Sequence, residues 1–158
     1  KYWLDRERKI KNPLFDVFSG RILDLKEGKG SAIDYFYKIL NEEIRPGVTI
    51  CVVPSSDAEK TVSGIGILGE KLAHNGRNNK VYYLNRKISI DKLADGGNRS
   101  IDVHMNSICT VKEMDITGDI VLLMDDVTTS GNSLYACRDI LVRQGADIVE
   151  MFALGKAI

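Results

Sequence analysis

Apolar residues occur along this chain in two kinds of segment, short unbroken runs and longer one-sided stripes, and the two kinds alternate. The unbroken runs are VTICVVP at 48–54, KVYYL at 80–84, DIVLLMDD at 119–126 and DIVEMFALGKAI at 147–158. Their length and β-branched content predict strands, and a run such as VTICVVP implies burial on both faces, as in a parallel sheet. SICTV at 107–111 predicts a further short strand. The stripes predict helices. Ile33, Phe36, Tyr37, Leu40 and Ile44 recur at helical spacing, with Ser31 placed to cap the first turn and Arg45-Pro46-Gly47 to stop the last. Residues 61–75 predict a second helix with Ile65, Leu68 and Leu72 inward, ended by Asn75-Gly76. SLYACRDILVRQG at 133–145 predicts a third, closed by Gly145. Strands alternating with helices give an α/β fold with right-handed crossovers around a central parallel sheet.

Two stretches are less regular. Residues 1–28 predict one short strand near Arg21 to Leu25 before a glycine-rich break. Residues 85–106 combine weak periodicity with several charges and a Gly-Gly pair, and read as a long excursion of the kind that forms functional lids. Gly64, Gly66 and Gly69 each weaken their helix by up to about 1 kcal/mol against alanine, which points to close backbone packing as the compensation. No internal repeat or low-complexity tract is visible, and 158 residues suit one domain, 1–158.

Composition narrows the classes. The 22 basic and 22 acidic residues cancel, which argues against nucleic-acid binding by bulk electrostatics. No apolar run approaches the roughly 18 residues of a membrane span, and KYWLDRERKIKNPLF is too charged for a signal peptide. Cys51, Cys109 and Cys137 form no CxxC pair and read as reduced thiols of a cytoplasmic protein, with Cys51 and Cys137 packed in the core. His74 and His104 lie at no zinc-site spacing with them, so no structural metal is expected. His74 reads as a surface residue at a helix end, Tyr2 and Trp3 as packing anchors, and Tyr35, Phe36 and Tyr37 as mostly core.

In a parallel α/β sheet, ligands collect at the carboxyl ends of the strands. Two loops fall there. In VLLMDDVTTSGNSL, residues 121–134, Asp125 and Asp126 close an apolar strand. Thr128, Thr129, Ser130 and Ser133 then offer hydroxyls, Gly131 permits close backbone approach, and a helix N-terminus follows. The second half makes a nest for a phosphate monoester. Like charges repel, so the aspartates suit a different role beside it: gripping a diol or holding hydrated magnesium. A phosphate nest one step from a diol grip describes a ribose 5-phosphate. Adjacent aspartates alone would more often cap a turn; the hydroxyl loop and following helix change that balance.

This stretch resembles the motif by which type I phosphoribosyltransferases bind 5-phosphoribosyl 1-pyrophosphate (PRPP), and is nearest in style to ComF-like and orphan members, without the cysteine-rich front end of many ComF proteins. The resemblance is strongest over 119–134 and extends by order of elements to about 47–155. It implies the family's fold, with a small hood from about 1–28 and 85–106 above the sheet edge. By the resemblance, Asp125 and Asp126 bind the ribose hydroxyls, and Thr128, Thr129, Ser130, Gly131, Asn132 and Ser133 cradle the 5-phosphate. The loop after the first core strand, PSSDAEK, would bind pyrophosphate through Ser55, Ser56, Asp57 and Ala58 with Lys60 nearby, although it lacks the earlier Lys or Arg of common versions. Arg86, Lys92, Arg99 and His104 are candidates for charge on the departing pyrophosphate or contact with the acceptor, Arg99 as a catalytic residue. Lys92 and His104 also suit solvated or structural roles.

The implied activity is phosphoribosyl transfer from PRPP to a nucleobase or similar nitrogen acceptor. Attack at ribose C1 expels pyrophosphate through an oxocarbenium-like transition state. Mg2+ is the implied cofactor, held mainly through the ligand and by Asp125 and Asp126. Partners would be PRPP and an acceptor or nucleotide, with a homodimer or larger assembly compatible. Two other classes compete. A receiver-like domain pairs acids at a sheet edge, but early in the chain and with a third, phospho-acceptor aspartate. A non-catalytic domain of the same fold would sense PRPP or a nucleotide within a larger assembly.

Overall fold

The computed structural model describes residues 3–5, 7–13, 15–91 and 100–157. The elements are β1 (Trp3–Asp5), β2 (Ile10–Lys11), α1 (Val17–Lys26), α2 (Gly30–Glu43), β3 (Thr49–Val52), α3 (Gly64–Leu72), β4 (Asn78–Asn79), β5 (Leu84–Arg86), α4 (Ile101–Ser107), β6 (Ile108–Thr110), β7 (Ile120–Thr128), α5 (Asn132–Arg143) and β8 (Ile148–Lys156). A parallel sheet of order β4-β3-β7-β8 forms the centre, as the alternating pattern predicts. β1–β2 and β5–β6 are small antiparallel pairs outside it.

Strand alternation sends successive side chains to opposite faces. Ile50, Val52 and Met124 join one apolar cluster with α1, α2 and α3, while Cys51, Val53, Val121 and Leu123 join another with α5. Both faces are therefore covered, which explains why these strands are apolar without interruption. Cys51 and Cys137 lie in the core as expected, Cys51 with its thiol pushed up to about 12 by burial. Ile65, Leu68 and Leu72 are buried on α3. The α3 glycines do allow close approach: a Cβ at Gly69 would lie 3.1 Å from Val52 Cγ1.

Several expectations change. Residues 21–25 are helical, not a strand: Asp16 accepts a hydrogen bond from the Ser19 amide and caps α1. Ile22 and Leu25, three apart on that helix, enter the core. The core thus begins well before residue 47, since α1 and α2 supply Ile22, Leu25, Ala32, Ile33, Phe36 and Leu40. Of the N-terminal part assigned to a hood, α1 packs into the domain and brings only its last turn to the sheet edge. Ser31 does not cap α2, whose N-cap position is Lys29 without a side-chain bond.

The run KVYYL at 80–84, expected as a strand, is mostly turn. The Tyr83 amide donates to Lys80 O (3.0 Å) after only two residues have paired with β3. Val81 and Tyr83 are buried in opposite clusters, so this run signals burial rather than extension. Arg77, 8% exposed, donates to carbonyls of Leu72, Asn41 and Ile44 and so caps the ends of α3 and α2. Within the 85–106 excursion, β5 and α4 are ordered elements, and residues 92–99 lie outside the described residues.

Candidate functional site

The site originates in a difference in strand length. β3 pairs with β7 from Thr49–Val121 to Val52–Met124, and the Val53 amide still donates to Met124 O (2.9 Å). Pro54 follows, without an N–H to continue the ladder, and the chain leaves the sheet. β7 runs on to Thr128, paired only with β8. The strand therefore extends further than the sequence suggests, and the side of β7 abandoned by β3 becomes the floor of a cleft.

That cleft has a volume of about 920 Å³. It gathers Asp125, Asp126, Thr128, Thr129, Ser130, Gly131, Asn132 and Ser133 on one wall and Ser55, Ser56 and Asp57 on the other. His104, buried on α4, also lines it, with Ser100 at that helix's N-cap. Ala58 and Arg86 line a smaller pocket of about 300 Å³ behind the 55–60 loop. Lys92 and Arg99 lie outside the described residues.

Alternation along β7 sends the two carboxylates apart. Asp125 faces α5, where Ser133 Oγ donates to its Oδ2 at 3.4 Å, and its Oδ1 accepts from the Asp126 amide at 2.9 Å. Burial, and then the neighbouring Asp126 charge, push its carboxyl up to about 7. Asp126 faces α1, and its Oδ1 lies 3.2 Å from Lys26 Nζ. The same oxygen accepts from the Val127 amide at 2.6 Å. Lys26 is a cleft residue that sequence reasoning missed, because the pairing crosses 100 positions and α1 was read as a strand. Only the helical register of 17–26 would have indicated it.

Beyond Thr128 the chain turns through Gly131 at φ +84° and enters α5. Ser130 Oγ accepts from the Asn132 amide at 3.4 Å and tightens the turn. Asn132 and Ser133, the first residues of α5, line the cleft, and a helix start leaves N–H groups without helical partners. Thr128 Oγ1 is buried and has no hydrogen-bond partner among the described residues. An orphaned hydroxyl beside a helix N-terminus fits an anionic oxygen.

The opposite loop is more self-contained. The amides of Asp57, Ala58, Glu59 and Lys60 donate to Ser55 Oγ, Ser89 Oγ, Asp57 Oδ1 and Asp57 O respectively. Arg86 holds this loop from behind, Nε to Ser55 O at 2.9 Å, Nη2 to Pro54 O at 3.4 Å and Nη1 to Ser107 Oγ at 2.5 Å. Hydroxyl groups and the Lys60 ammonium remain the natural ligand-facing chemistry of this wall. Among the described residues no group of three or more His, Cys, Asp or Glu could cage a metal ion. Two carboxylates do fit Mg2+ that arrives on a polyphosphate, since that ion keeps waters and takes few protein ligands.

Fold and cleft define an α/β parallel-sheet protein with a polar cleft at the strand carboxyl ends. Over 73 residues the chain is 34% identical to an adenine phosphoribosyltransferase of Pseudomonas fluorescens (strain SBW25), covering 43% of this chain and 36% of that protein. The chain thus spans about a third of that relative's length. Alignment with the crystal structure of a purine phosphoribosyltransferase from Pyrococcus horikoshii Ot3 gives a TM-score of 0.47 at 18% identity, covering 87% of this chain and 73% of that one. A hypoxanthine phosphoribosyltransferase from Staphylococcus aureus gives 0.47 at 10% identity, covering 87% and 75%. No protein-family model matches the chain. No helix among the described residues is long and apolar enough to cross a membrane.

Proposed function

We propose that the chain carries out Mg2+- and PRPP-dependent phosphoribosyl transfer to a nucleobase or similar nitrogen acceptor, in the cytoplasm. One observation carries this reading: the carboxylates of β7 and the Thr128–Ser133 turn line a single cleft, with Thr128 Oγ1 buried and unpartnered at its phosphate end. The sequence similarity to an adenine phosphoribosyltransferase supports it. The turn and the start of α5 hold the 5-phosphate. Asp125 and Asp126 grip the ribose diol and orient C1 toward the acceptor. Ser55, Ser56 and Lys60 face the pyrophosphate as the C1–O bond breaks and the acceptor nitrogen forms its bond to C1. Bound Mg2+ would neutralise charge growing on pyrophosphate, with Asp125 and Asp126 as its protein ligands.

The satisfied amides of the 55–60 loop favour a second reading, a domain that binds PRPP or a nucleotide without turnover. Calorimetry with PRPP, with and without Mg2+, tests the site. Micromolar to millimolar binding that is lost in the Asp125→Asn/Asp126→Asn double variant is expected. Undetectable binding at millimolar PRPP, or binding unaffected by the double substitution, would falsify the assignment. Pyrophosphate release across a panel of nucleobases then separates the readings, since binding without release on any base selects the sensor.

A further inference from the structure

We infer that Lys26 is a ligand-contacting residue that guards Asp126 before binding and transfers its charge to the pyrophosphate end of the ligand afterwards. This rests on reading the cleft as a sugar-phosphate site. Lys26 Nζ lies 3.2 Å from Asp126 Oδ1, yet the Lys26 side chain is 44% exposed and Asp126 only 20%. The carboxylate is fixed by β7; the ammonium is the mobile partner.

The backbone beneath that ammonium is anchored. Leu25 is fully buried and Ile22 is 5% exposed. The Leu25 carbonyl sits where a Cβ on residue 64 would be, 1.6 Å from it, so only glycine admits this contact. Ile22 Cδ1 occupies the corresponding space at Gly155, 2.8 Å from its would-be Cβ. Helix α1 is therefore locked against α3 and β8, and Lys26 is held beside Ser63 and Gly64, the segment that leaves the 55–60 loop. Lys26, the carboxylate read as gripping the diol and the 55–60 wall read as the pyrophosphate site all line the same cleft.

Among the described residues that line the cleft, Lys26 and Lys60 supply the lysine charge. A diol or cation arriving at Asp126 competes with Lys26 for the same oxygen. The displaced ammonium then has the incoming pyrophosphate within the sweep of its side chain. An ion pair this exposed is weak enough to exchange.

The test compares wild type, Lys26→Met and Lys26→Arg by calorimetry with PRPP and with ribose 5-phosphate, both at saturating Mg2+. Lys26→Met should weaken PRPP by about tenfold, a typical loss for one charge-assisted contact. It should leave ribose 5-phosphate unchanged or tighter, because that ligand lacks pyrophosphate and Asp126 no longer has a competitor. Lys26→Arg should restore most of the PRPP affinity. Melting temperatures of the variants should match wild type, as the side chain is half in solvent. Equal weakening of both ligands, no weakening of either, or failure of arginine to rescue would overturn the inference. Wild type that binds neither ligand would overturn the sugar-phosphate reading itself, and the inference with it, whereas wild-type binding without the split removes the inference alone.

Discussion

Asp125→Asn should make the protein more stable above neutral pH while abolishing the proposed PRPP binding. The carboxyl of Asp125 is raised from 3.8 to about 7, first by burial and then by the charge of Asp126. The Asp126 amide, Lys26 and Ser133 oppose that rise without cancelling it. Between those two values the native state holds a proton that the unfolded chain has released. Stability therefore falls as pH rises through this window, and is fully reduced once the native carboxyl has ionised. At about 1.36 kcal/mol per pH unit, the interval from 3.8 to about 7 gives a ceiling of roughly 4 kcal/mol. Motion of Asp126 and Lys26 with the titration brings the expected value down, to about 1–4 kcal/mol.

Asparagine keeps the shape and an acceptor oxygen for the Asp126 amide, but carries no charge to desolvate. Urea unfolding of both proteins at pH 4.5, 6 and 8 measures the effect through the midpoint at constant m. The variant should exceed wild type by about 1–4 kcal/mol at pH 8, with the gap closing towards pH 4.5. A variant less stable than wild type at pH 8, or a gap independent of pH, would refute the burial of an ionisable carboxyl here. Loss of PRPP binding in the same variant would show the trade of stability for function usual at such sites.

Two further outcomes follow from single atoms. Thr128→Val removes a hydroxyl that has no hydrogen-bond partner among the described residues, so unliganded stability should change by less than about 1 kcal/mol or rise, while ribose 5-phosphate affinity drops about tenfold by calorimetry. A clear loss of stability would mean that the hydroxyl serves the fold. Gly64→Ala places a Cβ 1.6 Å from the Leu25 carbonyl and should cost about 3 kcal/mol or more in urea unfolding. The control Gly30→Ala, with open space around its Cβ, should be neutral or stabilising, and equal effects at both glycines would refute the close-packing account.

The parallel sheet was legible because β3 and β7 carry their burial in their own sequence, and the apolar run of β8 marks a strand although that edge of the sheet is largely exposed. So was the Asp125–Ser133 constellation, which is contiguous and needs only one strand end and one helix start. What escaped depended on distance along the chain. Residues 21–25 contain Ile22, Leu23 and Leu25, a spacing too short to tell strand from helix, and tertiary packing of Ile22 and Leu25 decides the matter. Lys26 was lost with them. The run at 80–84 was misread because Val81 and Tyr83 are buried on either side of a turn, which gives the same apolar pattern as a strand. The donors of the 55–60 loop were credited to a ligand because Ser89, which satisfies the Ala58 amide, lies 31 residues away.

The sheet-edge geometry resolves the apparent conflict of two acids beside the proposed anion site. At about 3.3 Å per residue, Thr128 lies roughly 7 Å beyond Asp126 along β7. Two unit charges at that distance repel by about 2.4 kcal/mol at an effective dielectric constant of 20, against about 4 kcal/mol at 4 Å. Each carboxylate is also softened by its own face of the strand. Asp125, turned towards α5, has a carboxyl raised to about 7 and so is partly protonated near neutrality. Asp126, turned towards α1, is paired with Lys26. An anion approaching the Thr128–Ser133 turn therefore meets much less than two full negative charges. The relief comes from opposite faces of the strand, burial on the α5 side for Asp125 and the Lys26 ammonium on the α1 side for Asp126, because alternation along β7 turns the adjacent aspartates to both.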